Sequence, residues 1–312
     1  MYFPFLRGRQ FELIALRELV ENSLLSDKII PIIEPVKLSA TLNKTIQVFS
    51  EKGKELALVR NPQVGNFKSD LDDETNSRLK EEFFKLVKFN NILDAHFIGP
   101  NSDKYLERLH ERKKEISEII TICNNEDFVS IFENLFSAEK PRYNLIPDES
   151  AFRRNIRHNR VMMADKYNKL LRNTDYAETD DEPFSTDHIY SYEDGYVGFS
   201  DYSIIGKEYN DTGFAPYAVA IHIVYFDKDK KLRIKHFVSD TNDDINDPAG
   251  KFAEAVSKLI TWNNTQNLST YGIKAFTQMY ENEIYPGLGT VKKLSVMHHI
   301  ELVGRYLDWE NK

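Results

Sequence analysis

The segment KIIPIIEP, residues 28–35, sets four isoleucines around one proline without polar alternation, then stops at Glu34 and Pro35. A short apolar run with no period of two reads as a strand covered on both faces, the condition of strands in a parallel sheet flanked by helices. Runs of the same kind recur at ELALVRNP (55–62), DAHFIGPN (94–101), EIITICNN (118–125), YNLIPDES (143–150), RVMMADK (160–166) and YVGFSDY (196–202). The longest, APYAVAIHIVYFD (215–227), is followed by KLRIKHFVSD (231–240), which reads as its hairpin partner across the charged turn DKDK.

Helical spacing fills the intervals. Leu38, Leu42, Ile46 and Phe49 share one face, as do Leu79, Phe83, Leu86 and Val87, and then Phe128, Phe132 and Phe136. Strands alternating with helices of this length imply parallel strands joined by crossover helices. About eight strands fall between residues 28 and 226, so the expected architecture is α/β, a (β/α)8 TIM-barrel-like fold, with an open doubly wound sheet as the alternative. Residues 1–312 are expected to form one barrel-like domain. Within it, 1–27 is an N-terminal helix segment and 228–312 holds the hairpin and C-terminal helices. Residues 171–195 carry eight acidic residues and one basic residue, and read as an insertion ahead of the seventh strand. Asp247-Pro248 reads as an N-cap with proline at the first helical position, and a last helix is expected over about 290–307.

The formal net charge of -8 disfavours nucleic acid and anionic membrane as partners of the whole surface. A single cysteine, Cys123, excludes an internal disulfide and fits a reducing compartment. No apolar run approaches the roughly 18 residues of a membrane span, and the N-terminus lacks the marks of a signal peptide. The expectation is a soluble, cytoplasmic protein.

The opening MYFPFLRGRQFELIALREL, then IIPIIEPVK, LVRNP and GFSDYSI, together resemble the Beta protein family of bacteria and some phages. The resemblance spans about residues 1–205. It implies a barrel-like fold and brings no established reaction or catalytic residues.

In parallel α/β folds ligands bind beyond the carboxyl ends of the strands. Those ends carry Glu34, Arg60, Asn61, Asp148, Glu149, Asp165, Lys166 and Asp201. Crowded carboxylates call for a divalent cation, a bound cationic group or raised pKa values. Glu34, Asp165 and Asp201 would then hold Mg2+ or Mn2+, because oxygen donors outnumber any His or Cys set. Arg60, Asn61 and Asp148 would bind a phosphorylated or carboxylated substrate, and Lys166 and His222 are the catalytic candidates. Singly, each of these residues is better explained as a strand stop, a helix cap, a turn residue or, for His222, a buried neutral histidine; as a set they point to the place of a site.

RRNIRHNR (153–160) reads as a helix with Phe152 and Ile156 inward and its arginines pairing with the acidic 175–194 stretch. DTNDDINDPAG (240–250) fails the EF-hand pattern, with Ile245 at the glycine position and Lys251 at the glutamate position. His298 and His299 diverge on a helix, His298 on its apolar face. Phosphate-loop, dinucleotide and nucleophile-elbow motifs are absent from the sequence. Two functions follow as expectations. One is a metal-assisted hydrolase acting at the strand ends on a small anionic substrate. The other, suggested by the bacterial and phage relatives, is a non-catalytic binding or regulatory protein acting through a protein partner in phage–host conflict.

Overall fold

A computed structural model describes residues 1–210 and 216–310. The chain forms two compact units: Met1–Leu13, Asp27–Asp165 and Asp187–Tyr202 in the first, and Ile14–Ser26, Lys166–Thr186 and Ser203–Lys312 in the second.

The first unit is the expected α/β barrel. Its strands are β1 (Phe5–Leu6), β2 (Ile32–Ile33), β3 (Leu56–Val59), β4 (Ile92–Phe97), β5 (Ile120–Ile122), β6 (Tyr143–Ile146) and β7 (Arg160–Ala164). After β8 (Asp181–Ser185), which lies in the second unit, β9 (Gly198–Asp201) completes the set. Each barrel strand pairs in parallel with the next. Tyr2 bridges both Ile29 and Phe199, and the Phe3 N–H donates to the Phe199 carbonyl at 2.9 Å, so the N-terminal segment brings the two ends of the sheet together.

Eight strands were expected, but not these eight. The last member is the N-terminal Phe5–Leu6 rather than a strand within 215–227. Two paired residues beside Pro4 are too few to show any periodicity, whereas AIHIVYF shows some. Strand β10 (Ala220–Phe226) is the centre of an alternating ladder with β11 (Leu232–Val238), which in turn pairs with β8, all antiparallel. Residue 215 lies outside the described residues. The hairpin across DKDK is present, and the acidic stretch 171–195 supplies the third strand of this sheet.

Side-chain alternation divides the barrel strands between two environments. Phe3, Phe5, Ile32, Val59, Phe97 and Met163 belong to the cluster that fills the interior, together with Tyr202. Ile98, Leu109, Phe132, Ile146, Phe152 and Met162 form a second cluster between strands and helices. The helix Ala40–Glu51 starts at Ser39, whose side chain accepts the Leu42 N–H, and it buries Leu42, Ile46 and Phe49 as its spacing predicts. The arginine run departs from its expected helix. That helix ends at Asn155, and Arg160 opens β7, its guanidinium donating to the Asp194 and Gly195 carbonyls and lying 4.8 Å from the Tyr196 ring. Pairing with Asn144 of β6 holds Arg160 in extended backbone, and this overrides the local helical spacing.

In the second unit the helices are Pro248–Gln266, Tyr271–Glu281 and Leu288–Trp309. Asp247 caps the first of them by accepting the Gly250 N–H at 2.9 Å. His298 is fully buried, with Nε2 2.6 Å from the Val224 carbonyl and Nδ1 2.7 Å from the Thr270 hydroxyl. A carbonyl only accepts, so Nε2 carries the proton and Thr270 donates to Nδ1. Burial lowers its pKa to about 4, and the ring is neutral. Among the described residues no helix is long and apolar enough to cross a membrane.

Candidate functional site

Above the apolar interior, the next inward position of several strands is polar. Two residues beyond Phe5, Ile32, Val59 and Met163 stand Arg7, Glu34, Asn61 and Asp165. Glu34 is fully buried: its carboxylate pairs with Arg7 and accepts the Gln63 N–H at 2.6 Å. The Arg7 guanidinium lies 5.4 Å from the Tyr202 ring. Burial drives the Tyr202 phenol above its ordinary pKa against the influence of Arg7, with Glu34 and Asp165 adding to the rise. Arg7, Glu34, Asp165 and Tyr202 are thus one electrostatic group at the mouth of the barrel.

Asp201 is not part of it. It is buried and accepts the Tyr2 hydroxyl at 2.8 Å, and Tyr2 alternates with the interior residues Phe3 and Phe5. The expected convergence of Glu34, Asp165 and Asp201 on a metal therefore fails on geometry. Standing at a strand end fixes height along the barrel, while the period of two fixes the face. Among the described residues no three His, Cys, Asp or Glu side chains are grouped so as to hold a metal ion.

The remaining candidates separate in the same way. Asp148 is exposed, accepting the Tyr196 hydroxyl at 2.7 Å and pairing with Arg153 at 3.3 Å. Asn61 extends the β3–β4 ladder with its side chain: Nδ2 donates to the Phe97 carbonyl at 2.8 Å and Oδ1 accepts the Phe97 N–H at 2.9 Å. Lys166 and His222 belong to the second unit. In its sheet His222 stands opposite His236, with their Nδ1 atoms 2.7 Å apart. Glu182 accepts from His236 Nε2, so His236 Nδ1 accepts from His222 Nδ1 and Tyr167 donates to His222 Nε2. Burial holds both histidines below their ordinary pKa. His222 is accordingly a neutral link in a chain of four satisfied side chains.

Arg60 leads to a site that strand-end reading alone does not reveal. Its Nε lies 3.7 Å from Asp94, a carboxylate in the middle of β4 that is 1% exposed. Arg112 at 2.8 Å and Lys114 at 3.4 Å complete the cations around it. Burial alone would raise the Asp94 pKa, but Arg60, Lys114 and Arg112 outweigh it and hold the carboxyl below its ordinary value. Two residues along the same face, His96 stacks on Tyr105 with ring centroids 3.9 Å apart.

Beside these groups the loops after β3 and β4 enclose a cavity of about 650 Å3. Arg60, Lys68, Lys104 and Arg108 line it, with His96 and Tyr105, and no carboxylate does. Among the described residues the side chains of Lys68, Lys104 and Arg108 have no ion pair or hydrogen bond. The helix Ser102–Glu111 opens at this cavity, and both Asn101 and Ser102 line it. Ser102 Oγ accepts the Gly99 N–H at 2.9 Å and lies 2.9 Å from His96 Nε2. Either neutral tautomer of His96 makes this contact, because a hydroxyl both donates and accepts. Burial lowers the His96 pKa to about 4, against the pull of Asp94, so the ring is neutral. His96 Nδ1 and Arg60 Nη1 are buried without a hydrogen-bond partner, and the Tyr105 hydroxyl meets Arg112. His96 is 4% exposed and Tyr105 8% exposed. Unsatisfied buried polar atoms are rare, and these two belong to residues that line the cavity.

No family model, curated protein or solved structure matches the chain. The resemblance to the Beta protein family therefore stands on the quoted motifs alone.

The sequence holds only faint signals for this site. DAHF alternates Asp94 and His96 with apolar residues, and GPNS places a turn before a helix start. Lys68, Lys104 and Arg108 are ordinary surface residues until the loops bring them together.

Proposed function

We propose that this protein binds a small phosphorylated or carboxylated molecule in the cavity beside β3 and β4, at the carboxyl end of its barrel. The observation that carries this reading is the charge of that cavity. In a chain with a formal net charge of -8, four cations face one space that no carboxylate lines. Arg60, Lys68, Lys104 and Arg108 are the groups that would meet the anion, and Lys104 and Arg108 are exposed. The helix Ser102–Glu111 starts at the cavity and adds the positive end of its dipole. Glu34 has a supporting part: by holding the Gln63 N–H it fixes the loop that carries Asn61 and Gln63 along the cavity.

The test is titration with inorganic pyrophosphate at low ionic strength, followed by calorimetry and thermal melting. Wild type is expected to bind and to melt higher. The double substitution Lys104→Ala/Arg108→Ala, both at exposed positions, is expected to weaken binding by roughly tenfold or more while leaving the unliganded melting temperature unchanged. Equal binding by the two proteins would place the anion elsewhere.

A further inference from the structure

A second cavity, of about 890 Å3, adjoins the first, and the two share Arg60, Tyr105 and Arg108 as lining. Its character is different. Phe67, Leu71, Phe83, Phe84 and Val87 supply apolar walls. The Phe83 ring meets Phe67 edge-on at 5.3 Å and Phe84 edge-on at 5.6 Å, while the Arg60 guanidinium lies 5.7 Å from it. Phe84 is 41% exposed, although it stands on a helix whose outward residues are otherwise mainly charged. Among the residues around this groove Arg60, Lys88, Arg108, Arg112 and Lys114 are cations and only Glu111 is acidic. A volume in the range of small-molecule sites, apolar walls and a cationic edge are the features of a pocket for an amphipathic anion.

We infer that the ligand of the anion cavity carries an apolar body, aromatic or alkyl, which lies in this groove against Phe67, Phe83 and Phe84 while its charged group meets Arg60 and Arg108. The inference rests on the anion-binding reading and narrows it to organic phosphates and carboxylates with an apolar arm. Two observations support the union of the cavities. Arg60 and Arg108 line both, and the Arg60 guanidinium lies against the Phe83 ring of the apolar wall. A purely apolar occupant would desolvate Arg108 without a counter-charge, and a purely ionic one would leave the Phe84 ring in water.

The experiment compares inorganic phosphate with 1-naphthyl phosphate on wild type, Phe84→Ser and Arg108→Ala. Naphthyl phosphate is expected to bind wild type at least about tenfold more tightly than phosphate, from the apolar area it buries. Phe84→Ser should remove most of that gain and leave phosphate binding unchanged, and Arg108→Ala should weaken both. Equal affinities for the two probes, or no effect of Phe84→Ser, would overturn the apolar arm while leaving the anion cavity standing. Failure of both probes to bind wild type would overturn the anion reading and this inference with it. Phe84 is exposed, so its substitution leaves the fold intact, and melting of the unliganded variant verifies this.

Discussion

Asp94 and Glu34 show how a barrel places charge where the backbone alone would not. Both are buried carboxylates, and each is held by cations from other strands or loops: Asp94 by Arg60, Arg112 and Lys114, Glu34 by Arg7. Removing one partner of such a group leaves buried charge of the other sign uncompensated. Asp94→Ala and Glu34→Ala are each expected to lower stability by roughly 3–5 kcal/mol in urea denaturation. Asp148→Ala serves as the contrast. That carboxylate is exposed, and its loss should stay within about 0.5 kcal/mol of wild type. From sequence these three aspartates and glutamates look alike, each beside an apolar run. Only the contacts of the folded chain separate two anchors from a surface residue.

Among the elements, the seam between β9 and the N-terminal segment decides whether the sheet closes. Gly198 stands on that seam, and a Cβ there would lie 2.6 Å from the Met1 carbonyl oxygen and 3.0 Å from the Phe3 ring. Gly198→Ala must push the two strands apart at their hydrogen bonds. It is expected to destabilise the barrel by about 3 kcal/mol or more, with loss of amide protection at Phe3 and Phe199 as the reading that checks it. Most of the barrel strands were legible because their apolar runs are long enough to show the absence of alternation. Phe5–Leu6 was not, since a strand of two paired residues owes its place to neighbours rather than to its own pattern. The reverse error at 220–226 has the same root: a mainly apolar run can be a parallel strand or the middle of a small antiparallel sheet, and the partner settles which.

For the molecule as a whole, each unit carries a buried neutral histidine with its pKa lowered to about 4: His96 in the first and His298 in the second. In the unfolded chain each returns to its ordinary value near 6.5. Between pH 6.5 and 4 the unfolded state therefore binds more protons than the native state, and stability falls as pH is lowered, levelling out below the folded pKa. Each histidine contributes on the order of 1 kcal/mol per pH unit across that window. Melting temperature should be flat from pH 8 to 7 and fall steadily toward pH 4.5, and His96→Phe, which keeps a ring against Tyr105, should reduce the slope. Asp94 acts lower still. Its carboxyl is held below the ordinary value, so its contribution persists until pH falls through that folded value. By itself the sequence determined that strands covered on both faces alternate with helices, and hence a parallel α/β fold, because hydrophobic period and helix spacing are local properties; closure into a barrel came from the N-terminal segment. It also determined the height of the strand-end residues, since an apolar run must end where its cover ends. Which side each of those residues faces, and which loops meet, was decided only by the tertiary structure. Period-two alternation sent Glu34 inward and Asp201 outward, and the loops after β3 and β4 gathered Arg60, His96, Lys104 and Arg108, up to 48 positions apart, around one cavity.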